Sequence, residues 1–167
     1  MDKLLEALAL ALDYPIPGRL ETLWRLWIEC PRGQPKKKLE QFLKEVEKLS
    51  LGEWEELYTR TLDLTPTTAP YVGFAVYGES YQRGELLAAL VRAFAEEGVD
   101  PGSELPDHLA NVLRYLARAK RPLPELLEIL PKALAEMHKT LKTLDAKSPY
   151  LLLLEAAGEA VSGLVRR

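Results

Sequence analysis

The sequence predicts an all-α fold, a single-domain helical bundle over residues 1–167. Three observations predict it. Apolar residues recur at helical spacing along nearly the whole chain. Pro and Gly cluster at short intervals between these segments, where helices stop and start. Only one stretch has strand propensity, and a lone strand would leave its backbone groups unpaired.

The elements follow in order. Met1–Leu12 is apolar but carries Asp2 and Glu6. It lacks the basic leader and small-residue cleavage site of a secretory signal, so it reads as a first helix. Pro15, Pro17 and Gly18 separate it from a second, in which Leu20, Leu23, Trp24 and Trp27 fall at i, i+3, i+4 and i+7. Pro31, Gly33 and Pro35 precede a third, striped by Leu39, Phe42, Leu43 and Val46. Ser50 and Glu53 have the spacing of a capping box. Tyr71–Tyr77, aromatic and β-branched, is read as a short buried helix or turn for want of a second strand. Leu87, Leu90, Val91 and Phe94 stripe the next helix, which Gly98, Pro101 and Gly102 end. Leu109, Val112, Leu113 and Leu116 mark another, with Pro106 expected in its first turn. Pro122 and Pro124 open a long helix striped by Leu127, Leu130, Leu134, Met137, Leu141 and Leu144, and Pro131 is expected to kink it. Ser148 and Pro149 start the last, with Leu153, Ala157, Val161 and Leu164. Short connections make neighbours pack as a bundle.

Composition sets outer bounds. The 167 residues hold 22 Lys plus Arg and 25 Asp plus Glu, so the net charge is 22 − 25 = −3; 47% are hydrophobic and 28% charged. These values exclude a disordered chain. The slightly acidic balance excludes nucleic-acid binding by bulk charge and argues against a helical DNA-binding regulator, which would need a basic recognition helix. A lone Cys30 cannot form an internal disulfide, which favours a reducing compartment. The longest apolar run, Tyr150–Leu154, is far short of the roughly 20 residues of a membrane span. A cytoplasmic protein without direct membrane insertion is expected.

Enzyme motifs are missing: no phosphate-binding Gly loop, dinucleotide fingerprint or serine elbow. His108 and His138 are far apart, and Asp107 and His108, being adjacent, diverge by about 100° around a helix and do not readily chelate one ion. A helical metal-dependent hydrolase would need a third ligand close to His108. Two segments stand out. Glu104-Leu105-Pro106-Asp107-His108-Leu109 reads either as a well-made helix start with His108 half-buried, or as a small acidic and aromatic site receiving a peptide. Tyr71 to Gly84 packs four aromatics and three Gly into a short span, which suits either core filling or recognition. Lys36, Lys37 and Lys38 open a helix, where cations oppose the dipole, and read as a solvated charge run. Arg166-Arg167 reads as a frayed end.

These two segments, with Leu62-Asp63-Leu64 and an early Leu12-Asp13-Tyr14-Pro15, resemble the nitrate reductase delta subunit family, the NarJ-type assembly chaperones of the wider TorD/DmsD group. The likeness runs from the N-terminus to about Leu116. Its most specific part is Glu-x-Pro-Asp-His, and Tyr77 to Gly84 points to the nitrate reductase branch. Ala110 and Asn111 follow the motif where the family pattern leads us to expect Pro and an apolar residue. The resemblance implies a non-enzymatic helical chaperone with no cofactor of its own. It implies binding of the apo catalytic subunit of nitrate reductase, partly through that subunit's N-terminal segment, and keeping it competent for molybdenum cofactor insertion before membrane docking. A chaperone of the same family serving a dimethyl sulfoxide or trimethylamine oxide reductase is the alternative. Monomer and dimer stay open. Carried over by motif, the peptide-binding residues are Glu104, Pro106, Asp107 and His108, with Tyr71, Phe74, Tyr77, Tyr81 and Arg83. They are expected to border an open seam between helices, with the Pro106–His108 corner accessible.

Overall fold

The structure, a computed structural model, describes residues 1–63 and 70–165. Leu64 of the Leu62-Asp63-Leu64 run and the Arg166-Arg167 end lie outside the described residues. Among these there are nine α-helices and no strand: α1 Lys3–Ala11, α2 Arg19–Glu29, α3 Gln34–Glu47, α4 Leu51–Tyr58, α5 Val72–Tyr77, α6 Tyr81–Glu97, α7 Leu109–Arg118, α8 Pro124–Leu144 and α9 Tyr150–Val165. A π-helical turn, Thr59–Asp63, extends α4. The all-α bundle is therefore as expected.

Helix α1 occupies the centre, packed against α2, α3, α7 and α9. Apart from Lys3 and Glu6, which reach solvent, its residues are apolar, as a helix covered on most sides requires. Leu5, Ala7, Leu8 and Ala11 are fully buried, and the Asp2 side chain caps the first turn by accepting from the Leu5 N–H at 3.0 Å. Helices α3 and α8 flank α9, and α5 lies across α8. Buried side chains from all nine helices form one continuous cluster.

Local signals behave largely as the sequence predicts. Ser50 and Glu53 close a reciprocal capping box at 3.1 and 2.9 Å. Gly98 ends α6 in the left-handed region at φ 69°, where a side chain would be strained. Within Tyr71–Tyr77 the short helix α5 forms after Tyr71, with Val72 and Gly73 buried, and the α3 and α7 stripes are buried as read.

Four expectations are corrected. In α6 the buried face is Leu86, Leu90, Ala93 and Phe94, while Val91 is 56% exposed. The run offers two overlapping stripes, and the pairing of Arg83 described below selects the other. Helix α7 starts at Leu109, so Pro106 precedes it and His108 is its cap. In α8, which includes Pro131, Leu144, read as part of the apolar stripe, is exposed at the helix end. The lysine run is not wholly solvated. Lys36 sits over the Trp27 ring at 4.5 Å and bonds the Cys30 carbonyl at 3.0 Å, while Lys38 bridges to Glu159 and Glu155 on α9 at 2.6 and 3.3 Å.

Candidate functional site

The site grows from a short backbone pairing. Tyr71 and His108 form an isolated antiparallel bridge, in which the Val72 N–H donates to the Asp107 carbonyl at 2.8 Å and the Leu109 N–H to the Pro70 carbonyl at 2.7 Å. This ties the entry of α5 to the entry of α7. Both motif segments thus meet, although the bridged residues lie more than thirty positions apart in the sequence.

Beneath the bridge is a buried ion pair. The Asp107 carboxylate accepts from Arg83 Nε at 3.0 Å and Nη2 at 3.2 Å, and from the Gly73 N–H at 3.1 Å. The bidentate geometry and extra donor are what a charge pair needs to survive burial. The guanidinium lies 5.6 Å from the Tyr71 and Phe74 ring centres. Gly73 permits this approach: a Cβ there would stand 2.8 Å from Asp107 Oδ2 and 3.0 Å from Leu86 Cδ2.

The expected open corner is corrected here. Pro106, Asp107 and His108 are buried, Asp107 completely and His108 to 4% exposure. Asp107 already has its counter-ion inside the chain, so it has no free face for a partner's basic group. Tyr77 turns away to donate to Glu125 on α8 at 3.1 Å, and Tyr81 stands 83% exposed at the start of α6. Neither joins Glu104 and His108.

What remains accessible faces a polar cleft of about 390 Å³. Glu104 stands on its rim and His108 on its floor, with Asp13, Tyr14, Arg19, Tyr58, Asp100 and Arg114 around them. His108 caps α7 by accepting the Ala110 N–H on Nδ1 at 3.1 Å, which leaves Nε2 to carry the proton of the neutral ring. Burial pushes its pKa below 6.5, against the opposing pull of Glu104, Asp13 and Asp107. Tyr71 donates to Glu104 and meets the His108 ring edge-on at 5.4 Å. Burial, with Glu104 and Asp63 adding to it, pushes the Tyr58 hydroxyl up to about 12. The cleft therefore combines neutral phenols and imidazole with carboxylates.

Arg19, Tyr58 and Arg114 were not singled out by sequence reasoning, and Asp13 and Tyr14 only through the resemblance. Arg114 had a signal: it is the one charged residue inside the apolar run of α7, and a charge in a buried helix needs a partner. That partner is Asp13, at 2.6 Å. Asn111, the departure from the family pattern, is 3% exposed. It donates to the Pro101 and Leu105 carbonyls at 3.0 and 3.1 Å, fixing the loop that carries Glu104.

A larger concavity of about 490 Å³, with Leu134 and Leu154 on its lining, lies between α3, α8 and α9. At its edge Lys38 pairs with Glu155 and Glu159 and His138 bonds Glu155, and Lys139 also lines it. Among the described residues no three His, Cys, Asp or Glu side chains converge to hold a metal ion, and no helix is long and apolar enough to cross a membrane.

A family model described as the nitrate reductase delta subunit matches residues 30–147. The chain belongs to the nitrate reductase delta subunit family. Membership supports a general role as a NarJ-type assembly chaperone. No curated protein matches the chain. The matched region differs in extent from the sequence resemblance: it starts at residue 30, so Leu12-Asp13-Tyr14-Pro15 lies outside it, and it runs past Leu116 through α8. Both delta-subunit motif segments fall inside it, and the cleft draws Asp13, Tyr14 and Arg19 from outside it.

Proposed function

We propose that this protein is a cytoplasmic assembly chaperone for the catalytic subunit of nitrate reductase. It holds the N-terminal segment of the apo subunit and keeps the subunit competent for molybdenum cofactor insertion before membrane docking. The observation that carries this reading is the 390 Å³ cleft in which Glu104 and His108 meet Tyr14 and Tyr58. Family membership supplies the client class.

Within the cleft, Glu104 and Asp100 give a basic side chain or terminal ammonium of the client its counter-charge, and the tyrosine rings supply contact area. His108 Nε2 donates to a client carbonyl. Tyr71 orients Glu104. Asp107, Arg83, Phe74 and Pro106 act from behind, by holding the loop, and do not touch the client. Ordering a flexible terminal segment costs free energy, so binding is moderate and the client is released on maturation.

Calorimetric titration of the full chain with N-terminal peptides of molybdoenzyme catalytic subunits tests this. A nitrate reductase peptide should bind, and Glu104→Gln should weaken it about tenfold, the loss of one charge-assisted contact. A dimethyl sulfoxide or trimethylamine oxide reductase peptide binding more tightly would transfer the role to that client. No binding by any of them, with no molybdoenzyme subunit co-purifying from native cells, would overturn the reading.

A further inference from the structure

Helix α6 turns one face inward through Arg83, Leu86, Leu90, Ala93 and Phe94. The opposite face is Tyr81, Gly84, Ala88, Val91 and Ala95, at alternating steps of three and four, and every one is exposed. Tyr81 is 83% and Val91 56% exposed. No charged residue interrupts this stripe; Glu85 and Arg92 border it on one flank. Among the described residues neither forms an ion pair within the chain, and at seven residues apart they do not reach each other along the helix.

We propose that this face pairs antiparallel with the same face of a second copy, giving a two-fold dimer. Three–four spacing of apolar positions is the pattern of a helix–helix seam. A closed pair of identical chains must use one patch on both subunits. Charge fixes the direction. Parallel pairing sets Glu85 level with Glu85 and Arg92 level with Arg92. Antiparallel pairing crosses them and forms two Glu85–Arg92 contacts on the flank. The same register sets Val91 of each copy over Ala88 of the other and Ala95 over Gly84. Tyr81 reaches the Gly98 end, where α6 stops. Gly84 and Ala88 have little or no side chain, so the axes approach closely. The seam lies on the face of α6 opposite Arg83, so pairing leaves the Asp107 pair and the cleft behind it unchanged. The dimer goes beyond the chaperone reading and does not depend on it.

One helix pair about 25 Å long is at the small end of stable interfaces, so dissociation on the order of micromolar is expected. Sedimentation velocity of the full chain across that concentration range should show a monomer–dimer equilibrium. Glu85→Arg alone, or Arg92→Glu alone, replaces two attractive contacts with two repulsive ones and should weaken the dimer about tenfold. The double variant Glu85→Arg/Arg92→Glu should restore it, and so should a mixture of the two single variants. Both positions are exposed, and unchanged helical circular dichroism shows that the fold is intact. A chain that stays monomeric throughout overturns the proposal. So does a dimer that the single reversals leave unchanged, or one that the double reversal does not rescue.

Discussion

Asp107 shows how a motif residue acts without being seen by a partner. Its side chain is 0% exposed and that of Arg83 only 14%. Asp107→Ala leaves the guanidinium without its counter-ion and the Gly73 N–H without an acceptor. Removing one member of a buried pair costs about 3–5 kcal/mol. Chemical denaturation should show a loss of that order, so any loss of client binding in this variant must be read against folding. His108 behaves differently. Its folded pKa lies below the unfolded value of 6.5, so the unfolded chain takes up the proton first. Its contribution to stability is complete above about pH 6.5 and is lost as the pH falls from there toward the lowered folded value. The His108→Asn variant keeps an N-cap acceptor and removes the titration. Its Tm should drop less than the parent's between about pH 7 and pH 5.5, and an equal drop would assign the effect to other groups. The type and spacing of these residues were legible in the chain. Their burial was not, because the counter-ion of Asp107 lies on another helix.

At the scale of the element, caps and boundaries were readable because they are settled within a few residues. Ser50 and Glu53 meet through each other's backbone, and Gly98 supplies the left-handed residue that ends α6. The rotation of α6 was not readable. Leu86, Leu87, Leu90, Val91 and Phe94 allow two stripes, and local propensity does not choose between them. The bond from Arg83 to Asp107 turns the helix so that Leu90 points in and Val91 out. Leu90→Ala should therefore cost about 2–5 kcal/mol. Val91→Ala, measured dilute, should stay within about 0.5 kcal/mol. Similar losses at both positions would show that the inner face is placed wrongly.

At the scale of the whole molecule, the family match ends at residue 147, yet α9 follows it and is part of the core. Tyr150, Leu153, Ala156, Ala157 and Val161 are fully buried against α1, α3 and α8, and the Tyr150 hydroxyl accepts from the buried Trp54 Nε1–H at 3.2 Å. A chain truncated after Lys147 should lose cooperative thermal unfolding, as followed by circular dichroism; a sharp transition in that chain would make α9 an appendage. The sequence alone determined that this is an all-α chain with nearly every helix where its apolar period and its Pro and Gly breaks put it, since those signals act over a turn or two. It also held the two motif segments that carry the family likeness. Only the tertiary structure decided that they pair at Tyr71 and His108, that Asp107 is sealed while Glu104 and His108 face a cleft, and that Asp13, Arg19 and Arg114 complete it. Burial and ion pairing depend on what the far part of the chain brings alongside, and periodicity along one helix does not encode that.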